Sequence, residues 1–192
     1  MLVGIALFGS MSAIITSKLI LPKETKDHEE MRREVRALHT KASPEALFRS
    51  FASLGGERGW LVWNWAWALR GFLDRLLGGP GLRRGRRHPT ELLPGEAVDF
   101  WRVEAVEPPR LLRLRAEMRL PGRAWLEWEA REAEGGSLLV QTAYFEPKGL
   151  TGFLYWWALY PIHRRIFSDL ARAIVREAEA QAEAPPRGGG AG

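Results

Sequence analysis

The stretch RLLRLRAEMRLPGRAWLEWEA, residues 110–130, decides the fold. From Leu112 to Met118 every even position is apolar (Leu112, Leu114, Ala116, Met118), while Arg113, Arg115 and Glu117 between them are charged. The same parity resumes beyond Pro121-Gly122, with Ala124, Leu126, Trp128 and Ala130 set against Arg123, Glu127, Glu129 and Arg131. Successive side chains on a strand point to opposite faces. A period of two with one charged face therefore predicts two antiparallel strands, dry on one side and wet on the other.

The neighbouring segments extend this pair. Residues 97–107 are rich in aromatic and β-branched residues, and 137–147 contain Leu138, Leu139, Val140, Tyr144 and Phe145. Pro108-Pro109, Pro121-Gly122 and Gly135-Gly136 separate the four runs, which reads as a meander. A further strand is expected at 32–41. After it, Ser43-Pro44-Glu45 supplies an N-cap, a proline for the first helical position and a first-turn acid. That helix carries Leu47, Phe48, Phe51 and Leu54 and ends at Gly55-Gly56. A second helix is expected from about Trp60 to Leu77, stopped by Gly78-Gly79-Pro80-Gly81. Gly149 opens a long helix to about Ala182, with Phe153, Trp156, Tyr160, His163, Phe167, Leu170 and Ile174 on one stripe at steps of three and four. Pro161 should kink or break it, because proline lacks the backbone donor and crowds the preceding turn.

These elements form one domain over residues 32–182, flanked by segments of different character. Residues 1–21 are apolar with Lys18 as the sole charge, close to the roughly 20 residues that span a bilayer. Lys23, Lys26, Arg32, Arg33 and Arg36 follow, and if the segment spans they would hold the domain on the cytoplasmic side of an inner membrane. The other readings of 1–21 are a buried N-terminal helix or an extension from a misassigned start codon. Residues 22–31 read as a charged connector, and 183–192, rich in proline and glycine, as a disordered tail.

Composition narrows the chemistry. There is no cysteine, which removes disulfides, thiolate nucleophiles and cysteine-based metal sites. The histidines at 28, 39, 88 and 163 show no metal-ligand spacing, so neither a metal nor a cofactor is expected. The net charge of +5 is carried mainly by arginine. Arg83, Arg84, Arg86 and Arg87 would suit phosphate, but no nucleic-acid-binding motif accompanies them and no nucleic-acid partner is expected. Nine tryptophans imply a large aromatic interior, a ring-lined cavity or an apolar surface. Four fall at Trp60, Trp63, Trp65 and Trp67, which read as a wall or a membrane-facing lid. An exposed aromatic patch is the weakest of the three readings.

Strand, two helices, antiparallel meander and long C-terminal helix: this order resembles the α+β helix-grip fold of the START and Bet v 1-like superfamily, in which the sheet curls around the last helix. The stretches SPEALFRSFASLGGERGW, LRGFLDRLLGGPGLRRGRRHP, GEAVDFWRVEAVEPPRLLRLRAEMRLPGRAWLEWE and QTAYFEPKGLTGFLYWWALYPIHRRIF, within about residues 40–175, resemble the bacterial domain of unknown function 2867. Members of that family are often fused behind an NAD(P)-binding Rossmann domain. Here the glycine cluster at 78–81 follows a helix and lacks the dinucleotide fingerprint, so an oxidoreductase role would need a separately encoded Rossmann partner. The resemblance implies a cavity between sheet and last helix.

Within that frame the expected function is non-catalytic binding of a hydrophobic or amphipathic small molecule. The alternative is a substrate-binding subunit for an NAD(P)-dependent oxidoreductase. Leu114, Met118, Leu126 and Trp128 should face the long helix, which answers with Trp156 and Tyr160. His163 lies on the same stripe and is either a polar anchor or a structural histidine. Asp99 would be a buried carboxylate if it points inward, with Arg86, Arg102 or His88 as donor. Gln141 and Tyr144 are an odd number of residues apart, so only one can face the cavity. Ser168, Asp169 and His163 share one helix and cannot assemble a hydrolytic triad, and no motif demands an enzyme.

Overall fold

In the computed structural model, residues 31–183 are described apart from Arg84 and Thr90. The expectations for residues 1–30, for Arg84 and for the tail beyond 183 fall outside the described residues. The strands are β1 (Arg32–Thr40), β2 (Ala97–Val98), β3 (Trp101–Glu107), β4 (Leu111–Ala116), β5 (Gly122–Ala133) and β6 (Gly136–Pro147). The helices are α1 (Pro44–Ala52), α2 (Asn64–Leu76) and α3 (Gly149–Glu183), with a short 3₁₀ turn at Gly56–Arg58. The strands form one antiparallel sheet in the order β1-β6-β5-β4-β3-β2, so the meander runs outward from β6 and β1 closes its other edge.

Register follows the parity. Leu112 pairs with Trp128 and Leu114 with Leu126 across β4 and β5, and Trp128 pairs with Gln141 across β5 and β6. The opposite face carries charge pairs: Arg113 of β4 donates across to Glu127 of β5 at 2.6 Å, and Glu129 of β5 accepts from Arg110, just before β4, at 3.1 Å and from Arg131 of its own strand at 2.6 Å. A directly opposed pair such as Arg113–Glu127 fixes register more than it adds stability. Glu127 is more shielded than a solvent-facing strand residue should be, because Arg113 and the Tyr144 hydroxyl close over it.

The dry face packs in two regions. Towards one end, Leu47 and Phe51 of α1, Leu114, Leu126 and Trp128 of the sheet, and Leu170 and Ile174 of α3 form a solid core. Trp60 joins it, 6.4 Å from the Trp128 ring, and Phe51 stacks on Trp128 at 6.1 Å. Ser50 ties α1 to α3 through a bond to the Ile174 carbonyl at 3.0 Å. Towards the other end, α2 and the first half of α3 stand apart from the sheet and enclose a space.

Three local expectations are corrected. α3 is unbroken through Pro161. The carbonyl deprived of a donor belongs to Trp157, and both residues lie on the exposed side of the helix, where water can replace the lost bond. The second helix begins at Asn64, not Trp60. Leu61 and Trp63 take left-handed backbone angles, and the Asn64 side chain accepts from the Trp60 amide at 2.8 Å, so 60–63 is a turn that drops Trp60 into the core. The segment 97–107 is two strands. Asp99, at φ 52°, and Phe100 form a tight connection that pairs Val98 with Trp101. Aspartate tolerates the left-handed region that a β-branched residue resists.

Candidate functional site

The space beneath α2 is a cavity of about 250 Å³. Its roof is α2, through Trp65, Ala66, Trp67, Leu69, Arg70 and Leu73. The sheet contributes Trp101, Ala116, Ala124, Ala143 and Phe145, the segment after β4 contributes Met118, and α3 contributes Tyr155, Trp156, Leu159, His163, Ile166 and Phe167. Local sequence explains the roof. Trp67, Arg70, Gly71 and Asp74 recur at steps of three and four, so a single face of α2 turns inward. Phe145 and Trp156 stack at 5.5 Å and 7°, closing the far wall.

Asp74 fixes the roof. Its carboxylate is buried and accepts the amides of Gly81 at 2.9 Å and Arg119 at 2.7 Å, joining the end of α2 to the loop after it and to the segment following β4. At the other end of α2, the Trp63 indole donates to Asp169 of α3 at 2.9 Å.

Few polar groups enter the lining. Arg70 points its Nε at the Met118 sulfur, 3.1 Å away, and its guanidinium lies over the Tyr155 ring at 5.6 Å. Burial pushes the Tyr155 hydroxyl up from its ordinary value, opposed by Arg70, so it remains a donor at neutral pH. Burial, assisted by the charge on Arg70, pushes the His163 imidazole down to about 4. The ring is therefore neutral at pH 7, stacked on Phe167 at 5.6 Å. Among the described residues no carboxylate bonds to His163, so it lacks the orienting acid of a proton relay. The indole N–H of Trp101, in the cavity wall, is buried and has no hydrogen-bond partner among the described residues.

The sequence candidates divide between the two regions. Met118, Trp156, His163 and Tyr144 border the cavity, while Leu114, Leu126 and Trp128 are sealed in the solid core. Tyr160 packs its ring 5.5 Å from Trp156. Tyr144 turns its hydroxyl to Glu127 on the charged face, at 3.2 Å. Gln141 is the inward member of that pair, buried between Trp128 and α3. Asp99 is buried at the β2–β3 connection, where its carboxylate accepts the Trp60 indole at 2.7 Å. Arg86 instead donates to the carbonyls of Leu54 and Ala52, and Arg102 to Glu117. Arg83 links the Asp99 carbonyl to Glu117, and Arg87 holds Glu96, so these arginines bind the fold's own groups. Asp169, the acid near His163 in sequence, is taken by Trp63, Arg165 and Arg172. Arg70 belongs to no motif that the sequence announces. Its place in the stripe with Trp67, Gly71 and Asp74 is the signal that turns it inward.

Two exposed stripes flank the cavity. On α2 they include Trp65, at 63% exposure, with Leu69, Phe72 and Leu76; on α3, Leu150, Leu154 and Trp157, the last at 54%. The aromatic surface that tryptophan placement made least expected is thus present beside the cavity. Among the described residues no helix is long and apolar enough to cross a membrane, and no cluster of three or more acidic or histidine side chains could hold a metal ion.

A six-stranded antiparallel sheet gripping a 35-residue C-terminal helix, with an apolar cavity between them, defines a helix-grip protein of the α+β class. The chain belongs to the family described as protein of unknown function (DUF2867), whose model matches residues 31–170. No curated protein matches it. Among solved structures it is similar to the Zhui aromatase/cyclase from Streptomyces sp. R1128, with 16% identity, a TM-score of 0.51, and coverage of 80% of this chain and 97% of that one. It is also similar to the di-domain aromatase/cyclase StfQ from the steffimycin biosynthetic pathway, at 12% identity and a TM-score of 0.49, covering 92% of this chain. The chain spans 62% of the length of StfQ. A truncated norcoclaurine synthase from Thalictrum flavum matches at 13% identity and a TM-score of 0.47, over 81% of this chain and 96% of that one. At 16% identity the likeness to the Zhui protein speaks for the fold alone.

Proposed function

We propose that the protein binds a hydrophobic or amphipathic small molecule in the cavity between α2, the sheet and α3, without catalysing a reaction on it. The observation that carries this reading is the cavity itself: about 250 Å³, lined almost wholly by apolar side chains, beside a core of buried side chains. Apolar cavities of roughly 150 Å³ already take up benzene-sized molecules. A space this large is suited to a single ring system or one short chain, and is small for a two-chain lipid. Met118, Trp156 and His163 are the expected contacts. The neutral imidazole, with no acid to orient it, favours binding over acid–base chemistry.

Native mass spectrometry of gently purified protein, combined with titration of the neutral fluorophore N-phenyl-1-naphthylamine, tests the reading. A bound species or saturable fluorescence enhancement at one site is expected. Absence of both would reject it.

A second reading follows from the exposed stripes. Trp65, Phe72 and Leu76 of α2, with Leu154 and Trp157 of α3, lie on the helices that frame the cavity, where contact with a membrane surface would allow a ligand to pass from the bilayer. Vesicle co-sedimentation that weakens in the Phe72→Glu variant would support it. Equal sedimentation of variant and wild type would count against it.

A further inference from the structure

The polar residues of the cavity specify a head group for its ligand, an inference that rests on reading the cavity as a binding site. Many of the described arginines come with carboxylates, and Arg86, an exception, fills its fork with the carbonyls of Leu54 and Ala52. Arg83 and Arg102 share Glu117, Arg110 and Arg131 share Glu129, and Arg113 holds Glu127. Arg70 does not follow this pattern. Its Nε meets a thioether, a weak acceptor, and its charge rests on the face of Tyr155. Among the described residues no carboxylate engages it, and no aspartate or glutamate lines the cavity. Its neighbours in the lining are the Tyr155 hydroxyl, a donor, and the neutral ring of His163.

A guanidinium stays charged at any physiological pH. Drawing one partly out of water without a counter-charge is costly, and the partners Arg70 has in compensation, a thioether, a ring face and the Tyr155 hydroxyl, are all uncharged. That cost is recovered when an anion arrives. A carboxylate fits best, since its two oxygens match the guanidinium fork and can also take the Tyr155 hydroxyl. The remaining volume is apolar and too small for two acyl chains. We infer that Arg70 is the counter-ion for the carboxylate of a single-chain or single-ring amphipathic acid whose apolar body fills the cavity.

The test is competitive displacement of N-phenyl-1-naphthylamine at pH 7.5 by decanoate and by decan-1-ol, which differ only in the head group. Decanoate is expected to displace the probe about ten- to a hundredfold more effectively than the alcohol, the range of a charge-assisted pair. In Arg70→Gln the preference should collapse to within about threefold, read as the ratio of decanoate to decanol displacement so that any change in probe affinity cancels. Arg70→Lys should retain part of it. If the wild type does not bind the probe, the cavity reading itself fails. If it binds the probe but takes acid and alcohol equally, only the head-group inference is overturned. A preference that survives in Arg70→Gln removes Arg70 as the counter-ion. Should that variant not fold, the wild-type comparison decides alone.

Discussion

The Trp128 indole nitrogen donates to Oε1 of Gln141 at 2.8 Å, and Nε2 of the same amide donates to the Phe167 carbonyl at 2.9 Å. One buried side chain thereby clasps the sheet to α3 at the border between the solid core and the cavity. Gln141→Leu is expected to leave the indole donor unsatisfied and to destabilise by about 1–3 kcal/mol in urea unfolding. Adding Trp128→Phe should cost less than the two single changes summed, because the stranded donor is then absent. A strictly additive cycle would show that the clasp is not a unit.

Gly152 lies in the first turn of α3, where an added Cβ would overlap the Pro121 carbonyl oxygen and crowd the Pro147 backbone. Helix propensity alone would favour alanine by roughly 1 kcal/mol. Gly152→Ala is nevertheless expected to lower the melting temperature, since the overlap is with backbone that cannot swing aside. A raised melting temperature would mean that α3 does not sit this close to the β4–β5 turn.

His163 gives the fold a pH signature. The unfolded chain protonates near the ordinary 6.5 and the folded one only near 4, so between those values the unfolded state holds more protons. The contribution is complete above about pH 6.5 and is lost as the pH falls towards 4. Unfolding free energies at pH 7.5 and 5.0, compared with those of His163→Phe, should differ in slope by on the order of 1–2 kcal/mol. Parallel profiles would place the ring in water.

Ala143, inward-facing on β6 and part of the cavity wall, is the position for occlusion. Ala143→Phe should reduce N-phenyl-1-naphthylamine binding about tenfold or more while unfolding within about 1.5 kcal/mol of wild type, because the ring enters open space. Unchanged probe affinity would move the ligand elsewhere.

Much of the fold was legible because alternation is a local signal with a global meaning. The parity of 110–130 oriented the whole sheet, and Ser43-Pro44 and Gly78–Gly81 bounded helices through backbone constraints that act within a few residues. Two errors came where a local signal continued through a break. Apolar character persists across Asp99, so the turn between β2 and β3 was invisible, and Trp60 was counted with the helix that its neighbours begin. The site was less legible for another reason. Trp128 and Trp156 occupy equivalent-looking positions on facing apolar surfaces, yet one is fully buried against Phe51 and Trp60, and the other borders open volume. That difference depends on how far α2 stands from the sheet, a distance that no periodicity encodes. The same distance decides whether Arg70 meets solvent or a cavity.

Asp74 at one end of α2 and the Trp63–Asp169 bond at the other act as two rivets on a strap. A strap fastened twice holds its clearance whether or not anything lies beneath it. Size selection then belongs to the side chains hung from it, at Ala66, Arg70 and Leu73, and to their counterparts below. In descent from a common ancestor, such a protein would acquire a new ligand through exchanges at those few positions, with its framework left standing.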